Sequence, residues 1–204
     1  MKVLLATQKP FAAAAVAGIR GIVEEAGYEL ALLEKYEAQS DLVAAVADAD
    51  ALIVRSDKVT AEVVEAARNL KIVVRAGAGF DNLDLDACTK HGVVAMNTPG
   101  QNSNAVAELA IALMIYMART QFTPATGTEI HGKTLGIQAF GNVGRLVGQK
   151  ASALGMKVKA IDPFLSAEQI VAGGAEPAKD LKDLYAGCDY VSIHIPATPQ
   201  TIGS

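Results

Sequence analysis

Residues 134–162 read TLGIQAFGNVGRLVGQKASALGMKVKAID, and their order decides how this part of the chain folds. An apolar run at residues 135–139 enters a turn that holds Gly141 and Gly144. A helix-like segment follows, and a second apolar run at residues 158–161 ends in Asp162. Strand, glycine turn, helix, strand and acid is the order of a dinucleotide-binding βαβ unit. Each position has a physical reason. Gly141 lets the backbone approach a pyrophosphate, and Gly144 lets the helix pack closely on the strand. The helix N-terminus offers free N–H groups and the positive end of a dipole. Asp162 stands where a carboxylate accepts both ribose hydroxyls and repels a 2′-phosphate, which points to NAD rather than NADP. Ala139 stands where the first glycine of the pattern falls. That position limits side-chain bulk, so the turn can form with altered geometry. A ligand-free βαβ unit with a tight turn fits the same pattern.

Outward from this stretch, the preceding residues alternate short apolar runs with helical segments. Strands are expected at residues 3–6, 30–33, 51–54, 72–74 and 93–96, and helices at 12–26, 41–49, 61–68 and 84–91. Thr60 is positioned as an N-cap. This is the pattern of a flavodoxin-like α/β domain with a parallel sheet. Ligands of such sheets bind beyond the carboxyl ends of the strands. Arg55 and Arg75 fall there, and two guanidiniums at a sheet mouth suit an anionic substrate. Arg75 can equally brace its own loop. The polar break Asn97-Thr98-Pro99-Gly100-Gln101-Asn102 reads as a hinge, dividing the chain into domains at residues 1–98 and 99–204. After Asp162, Pro163 stops the strand. Short helices at 166–173 and 180–185 and a third strand at 190–195 follow. This amounts to an incomplete Rossmann domain, because the doubly wound fold needs two such halves.

Composition narrows the function classes. The chain has 204 residues, is 51% hydrophobic and 20% charged, and carries a net charge of −4 with no basic run. Nucleic acid and anionic membranes are therefore not expected partners. Residues 105–118, AVAELAIALMIYMA, are too short to span a bilayer and contain Glu108, so a buried or interface helix is expected. Cys88 and Cys188 stand alone, which suggests a reducing cytoplasm. No secretory leader is evident, since the first apolar run breaks at Thr7-Gln8-Lys9-Pro10.

Several motifs occur together in order. They are Arg55-Ser56-Asp57-Lys58-Val59-Thr60, Arg75-Ala76-Gly77-Ala78-Gly79-Phe80-Asp81-Asn82-Leu83-Asp84, Asn97-Thr98-Pro99 and Val106-Ala107-Glu108-Leu109. Further on come Gly132-Lys133-Thr134-Leu135-Gly136-Ile137, Gly141-Asn142-Val143-Gly144-Arg145, Ile161-Asp162-Pro163 and His194-Ile195-Pro196-Ala197-Thr198-Pro199-Gln200-Thr201. Over essentially its whole length the sequence resembles the D-isomer-specific 2-hydroxyacid dehydrogenases, most of all the branch that oxidises 3-phosphoglycerate in serine biosynthesis. The resemblance implies a cytoplasmic NAD-dependent enzyme, a homodimer, with a small anionic 2-hydroxy acid as substrate.

It also implies roles. Arg55, Arg75, Ala76 and Gly77 would meet the substrate, whose carboxylate is bound by loop N–H groups. Ala78 would approach the nicotinamide. Gly141, Asn142, Val143 and Gly144 would hold the pyrophosphate, and Asp162 with Pro163 the ribose. Ile195 and Pro196 would line the adenosine pocket. No metal is implied.

The family's catalytic arginine, glutamate and histidine would lie beyond Ser204, so no catalytic residue is expected within this chain and the chain alone is expected to be inactive. His91, His131 and His194 read as structural or surface histidines, Lys58 as a solvated loop residue, and both cysteines as inert. The alternatives are a dehydrogenase for another 2-hydroxy acid, or a non-catalytic NAD-binding module such as the corepressors that share this fold.

Overall fold

The computed structural model describes residues 1–196 and 201–203. Two compact units divide the chain, Met1–Pro99 and Gly100–Ser204.

The first unit contains β1 (Lys2–Thr7), α1 (Ala13–Glu25), β2 (Glu29–Glu34), α2 (Gln39–Ala45), β3 (Ala51–Val54), α3 (Ala61–Ala66), β4 (Ile72–Arg75), α4 (Leu85–Lys90) and β5 (Val94–Met96). The strands are all parallel, in the order β2-β1-β3-β4-β5. This is the flavodoxin-like order, with its switch point between β1 and β3. Leu4, Leu52 and Val73 turn one face of the sheet onto Leu42, Val46, Val63 and Val64, and the other face packs Leu5 against Val23 and Leu30.

Helix α2 starts two residues earlier than the pattern predicted, because the Asp41 carboxylate accepts from the Ala38 N–H at 3.1 Å and caps the first turn. Thr60 does occupy the N-cap of α3 but makes no side-chain cap bond. Among the described residues its Oγ1 is buried without a partner.

The second unit contains α5 (Ser103–Ala118), β6 (Thr134–Gln138), α6 (Asn142–Ala153), β7 (Lys157–Ile161), α7 (Ala167–Ala172), β8 (Glu176–Pro177), α8 (Leu181–Ala186) and β9 (Tyr190–Ile193). Its parallel sheet runs β8-β7-β6-β9. This matches the 3-2-1-4 beginning of the Rossmann order, with the switch point between β6 and β9. On α6, Gly144, Val147, Gly148 and Ala151 are buried, a spacing that lays one helix face on the sheet.

Two expectations change here, and a third narrows from a buried or interface helix to a partly exposed one. Strand β9 ends at Ile193, although the His194 N–H still donates to the Gln138 carbonyl at 2.9 Å. Strand β8 is an addition, a two-residue pairing beside β7 that no alternation announces. Helix α5 is buried only at Ser103, Ala107, Ile111 and Ala118. Leu109, Leu113 and Met117 are 60%, 53% and 59% exposed, so this helix presents an apolar face outward.

Candidate functional site

In the second unit the turn after β6 gathers the predicted cofactor residues. Ala139 leaves the strand with φ at 71°, the left-handed region that glycine adopts freely and residues with a Cβ rarely do. The next residue is held from both sides. The Phe140 N–H donates to Asp162 Oδ2 at 2.8 Å, and the Phe140 carbonyl accepts from Arg145 Nε at 3.1 Å. Asp162 Oδ1 accepts the Phe164 N–H at 2.9 Å. Both carboxylate oxygens are thus oriented by peptide donors, and each keeps a lone pair for a further donor.

Gly144 is required by packing, because a Cβ there would lie 2.3 Å from the Ala139 carbonyl oxygen. Gly141 differs. Its φ is −79°, and a Cβ would meet nothing within 4 Å. Neither its backbone nor its protein neighbours demand a glycine, and the space beside it lies open at the head of α6. Gly141 is the N-cap of α6 and has no side chain to cap it. The N–H groups of Asn142, Val143 and Gly144 are those that a helix leaves without intrahelical partners. Free donors, a helix of twelve residues behind them and an oriented carboxylate at the next strand end fit a dinucleotide.

Pro163 follows Asp162 as part of the same exposed bend, and Ile195 and Pro196 follow β9 on the other side of the switch point. The motif continues through residues 197–200, which lie outside the described residues. His194 is half-buried. Burial holds its imidazole below the ordinary pKa, and Nε2 lies 2.9 Å from Ser192 Oγ.

In the first unit, Arg55, Asp57 and Gln8 sit at the carboxyl ends of β3 and β1, the switch point of that sheet. The Arg55 guanidinium lies 5.9 Å from the Phe11 ring centroid, within cation–π range. Arg75 is committed elsewhere. Its Nε donates to the Arg55 carbonyl at 2.9 Å and its Nη1 to the Gly79 carbonyl at 2.7 Å, so it braces the loop that follows β4. Asn97 Nδ2 donates to the Ala78 carbonyl at 2.6 Å, and the Thr98 N–H donates to the Gly77 carbonyl at 2.9 Å.

The expectation that Ala76 and Gly77 offer N–H groups to an anion is corrected. The Ala76 N–H extends the ladder to the Val54 carbonyl at 2.8 Å, and the Gly77 N–H closes a tight turn on Arg75 at 2.9 Å. Among the described residues, the N–H groups of Ala78 and Gly79 have no acceptor.

Sequence reasoning missed Arg145, Asn97 and Asp57 as organisers. Asp57 is only 6% exposed and accepts from the Gln8 N–H at 2.7 Å and the Tyr36 hydroxyl at 2.8 Å. Burial first, then this carboxylate, push the Tyr36 hydroxyl well above its ordinary pKa. Asn82 Nδ2 holds the Asp57 carbonyl at 2.7 Å. No spacing could have revealed the contacts of Asp57, since its partners lie between 21 and 49 residues away. Both cysteines are free, and burial raises both thiols, as inert residues would show.

The two parallel sheets and the turn at 139–144 define a class that comparison makes specific. The family model for the catalytic domain of D-isomer specific 2-hydroxyacid dehydrogenases matches residues 12–194, and the chain belongs to that family. The D-3-phosphoglycerate dehydrogenase of Rattus norvegicus is 40% identical over 200 residues, which cover 90% of this chain and 37% of the rat enzyme. That of Mycobacterium bovis is 43% identical over 176 residues, covering 79% of this chain and 33% of that enzyme. Among solved structures, the NAD+-bound 3-phosphoglycerate dehydrogenase of Entamoeba histolytica superposes with a TM-score of 0.92 at 45% identity. The match covers 98% of this chain and 64% of that one. The D-lactate dehydrogenase of Escherichia coli superposes with a TM-score of 0.79 at 25% identity, covering 98% and 66%. The chain thus spans about a third of the length of the two curated relatives. No helix among the described residues is long and apolar enough to cross a membrane.

Proposed function

We propose that this chain forms the substrate-side unit and the first nucleotide-binding part of an NAD-dependent dehydrogenase, and that the intact enzyme oxidises 3-phosphoglycerate at C2. The observation that carries this reading is the turn at residues 139–144. Gly141 opens on free space at an uncapped helix head, and Asp162 stands oriented beside it. A bound nicotinamide supplies the hydride acceptor.

The chain's own residues bind and orient. The first-turn N–H groups of Asn142, Val143 and Gly144 hold the pyrophosphate, with Gly141 giving it room. Asp162, in the bend with Pro163, accepts from the ribose hydroxyls, while Ile195 and Pro196 flank the adenosine. Ala78 and Gly79 present two N–H groups, without acceptors among the described residues, for the substrate carboxylate. Arg55 supplies the charge for an anionic group, and Arg75 keeps the loop in shape. The remainder of the longer relatives is where the proton acceptor for the hydroxyl would lie. A homodimer is supported by the exposed apolar face of α5, which calls for a cover. Two free cysteines support a reducing cytoplasm.

Calorimetric titration tests the cofactor assignment. NAD should bind more tightly than NADP, and Asp162→Ala should weaken NAD and narrow the difference. Equal affinities for both, unchanged by the substitution, would remove Asp162 from the ribose site. 3-Phosphoglycerate-dependent NADH formation by the full gene product tests the substrate, and greater turnover of another 2-hydroxy acid would reassign it.

A further inference from the structure

We propose that Arg145 is a positioning residue of the dinucleotide turn, and that with Asp162 it compensates for the alanine at the first glycine position. The proposal rests on the NAD reading above.

A φ of 71° costs an alanine free energy that it would not cost a glycine, so Ala139 favours a relaxed turn over the observed one. Four contacts oppose that relaxation. The Ala139 N–H donates to the Ile161 carbonyl at 2.9 Å, and the Ala139 carbonyl is packed against Gly144. The following peptide N–H is taken by Asp162 Oδ2, and the Phe140 carbonyl by Arg145 Nε. The Arg145 guanidinium also lies 5.9 Å from the centroid of the fully buried Phe140 ring.

Helix stability does not explain this arginine. It sits near the head of α6, where a cation opposes the helix dipole. The carbonyl it reaches does explain it. Asp162 approaches from the end of β7 and Arg145 from α6, so Phe140 is pinned between the two elements that must keep their spacing for an anion to sit at the helix head. Loss of Arg145 frees one side of a strained turn, and the first-turn N–H groups lose their fixed direction.

The test is NAD titration and thermal melting of the chain as wild type, Arg145→Met, Ala139→Gly and the double variant. Removing the charge-assisted bond in Arg145→Met should weaken NAD about five- to tenfold. The double variant should recover most of that loss although the charge is still absent, because glycine no longer needs the pin. Wild-type affinity in Arg145→Met overturns the proposal. So does a double variant as weak as Arg145→Met, which assigns the effect to charge beside the pyrophosphate. If the unaltered chain does not bind NAD, the cofactor reading falls separately. Melting then decides the proposal. A smaller loss from Arg145→Met in the Ala139→Gly background supports it, and equal losses overturn it.

Discussion

At the end of β6, the turn through Gly144 is closed by backbone against backbone. At the end of β4, the loop through Gly77 and Gly79 is closed by a side chain. A Cβ on Gly144 would stand 2.3 Å from the Ala139 carbonyl oxygen and 3.1 Å from Ile137 Cγ2. A Cβ on Gly77 would stand 2.7 Å from Arg75 Nη1, the far end of a long side chain. Both are glycine-rich connections at the carboxyl ends of parallel strands, and in sequence they look alike. The first glycine is needed because peptide groups cannot yield. The second is needed only while Arg75 keeps its place. One region is built to hold a fixed geometry, the other to hold a loop in shape by two hydrogen bonds.

The largest expected effect breaks the rigid member of the pair. Gly144→Ala forces the helix head away from the strand, and overpacking of this kind costs about 3 kcal/mol. In a unit of this size that lowers the melting temperature by roughly 10 °C or more. Differential scanning calorimetry measures it, and a loss under about 1 kcal/mol would mean that the turn can shift after all.

The side-chain member should behave differently. Arg75→Met removes the bonds to the Arg55 and Gly79 carbonyls and should cost about 2 kcal/mol. Gly77→Ala alone should cost about 1 kcal/mol, and in the Arg75→Met background almost nothing, since the clashing group is gone. Denaturant unfolding of the four proteins gives the coupling. Additive losses would show that Gly77 answers to something other than Arg75.

This contrast also marks what the sequence could convey. The βαβ order, the place of Asp162 and the need for Gly144 were legible, because strand length, turn glycines and helix spacing are local properties. The parallel order of the first sheet followed from alternating elements in the same way. Hydrogen-bond directions were not legible. Nothing in Arg75-Ala76-Gly77 announces that the Ala76 N–H is spent on Val54, and the sequence left the loop-bracing and substrate readings of Arg75 level until its two carbonyl partners were seen. The Arg145 contact with Phe140 depends on where one carbonyl points after a left-handed residue. In α5 the apolar pattern runs all round the helix, so periodicity could not tell its packed face from its exposed one.

The smallest expected effect uses pH to separate the two regions. The loop after β4 is held by the Arg75 guanidinium through the Arg55 and Gly79 carbonyls. The rim of the second unit carries His194, whose imidazole burial holds below its ordinary pKa. The unfolded chain therefore binds this proton more readily than the folded one. Between the folded pKa and the ordinary value of about 6.5, unfolding takes up a proton, so stability rises with pH through that window and levels off above it. Melting from about pH 7.5 down to about pH 5.5 should accordingly weaken the second unit more than the first. His194→Gln should remove that difference, because the amide can still meet Ser192 Oγ without titrating. A difference that survives the substitution would place the titrating group elsewhere on the rim. One that vanishes leaves the two glycine connections distinguished by chemistry as well as by packing, since the turn through Gly144 follows a strand whose last carbonyl is held by the titrating His194.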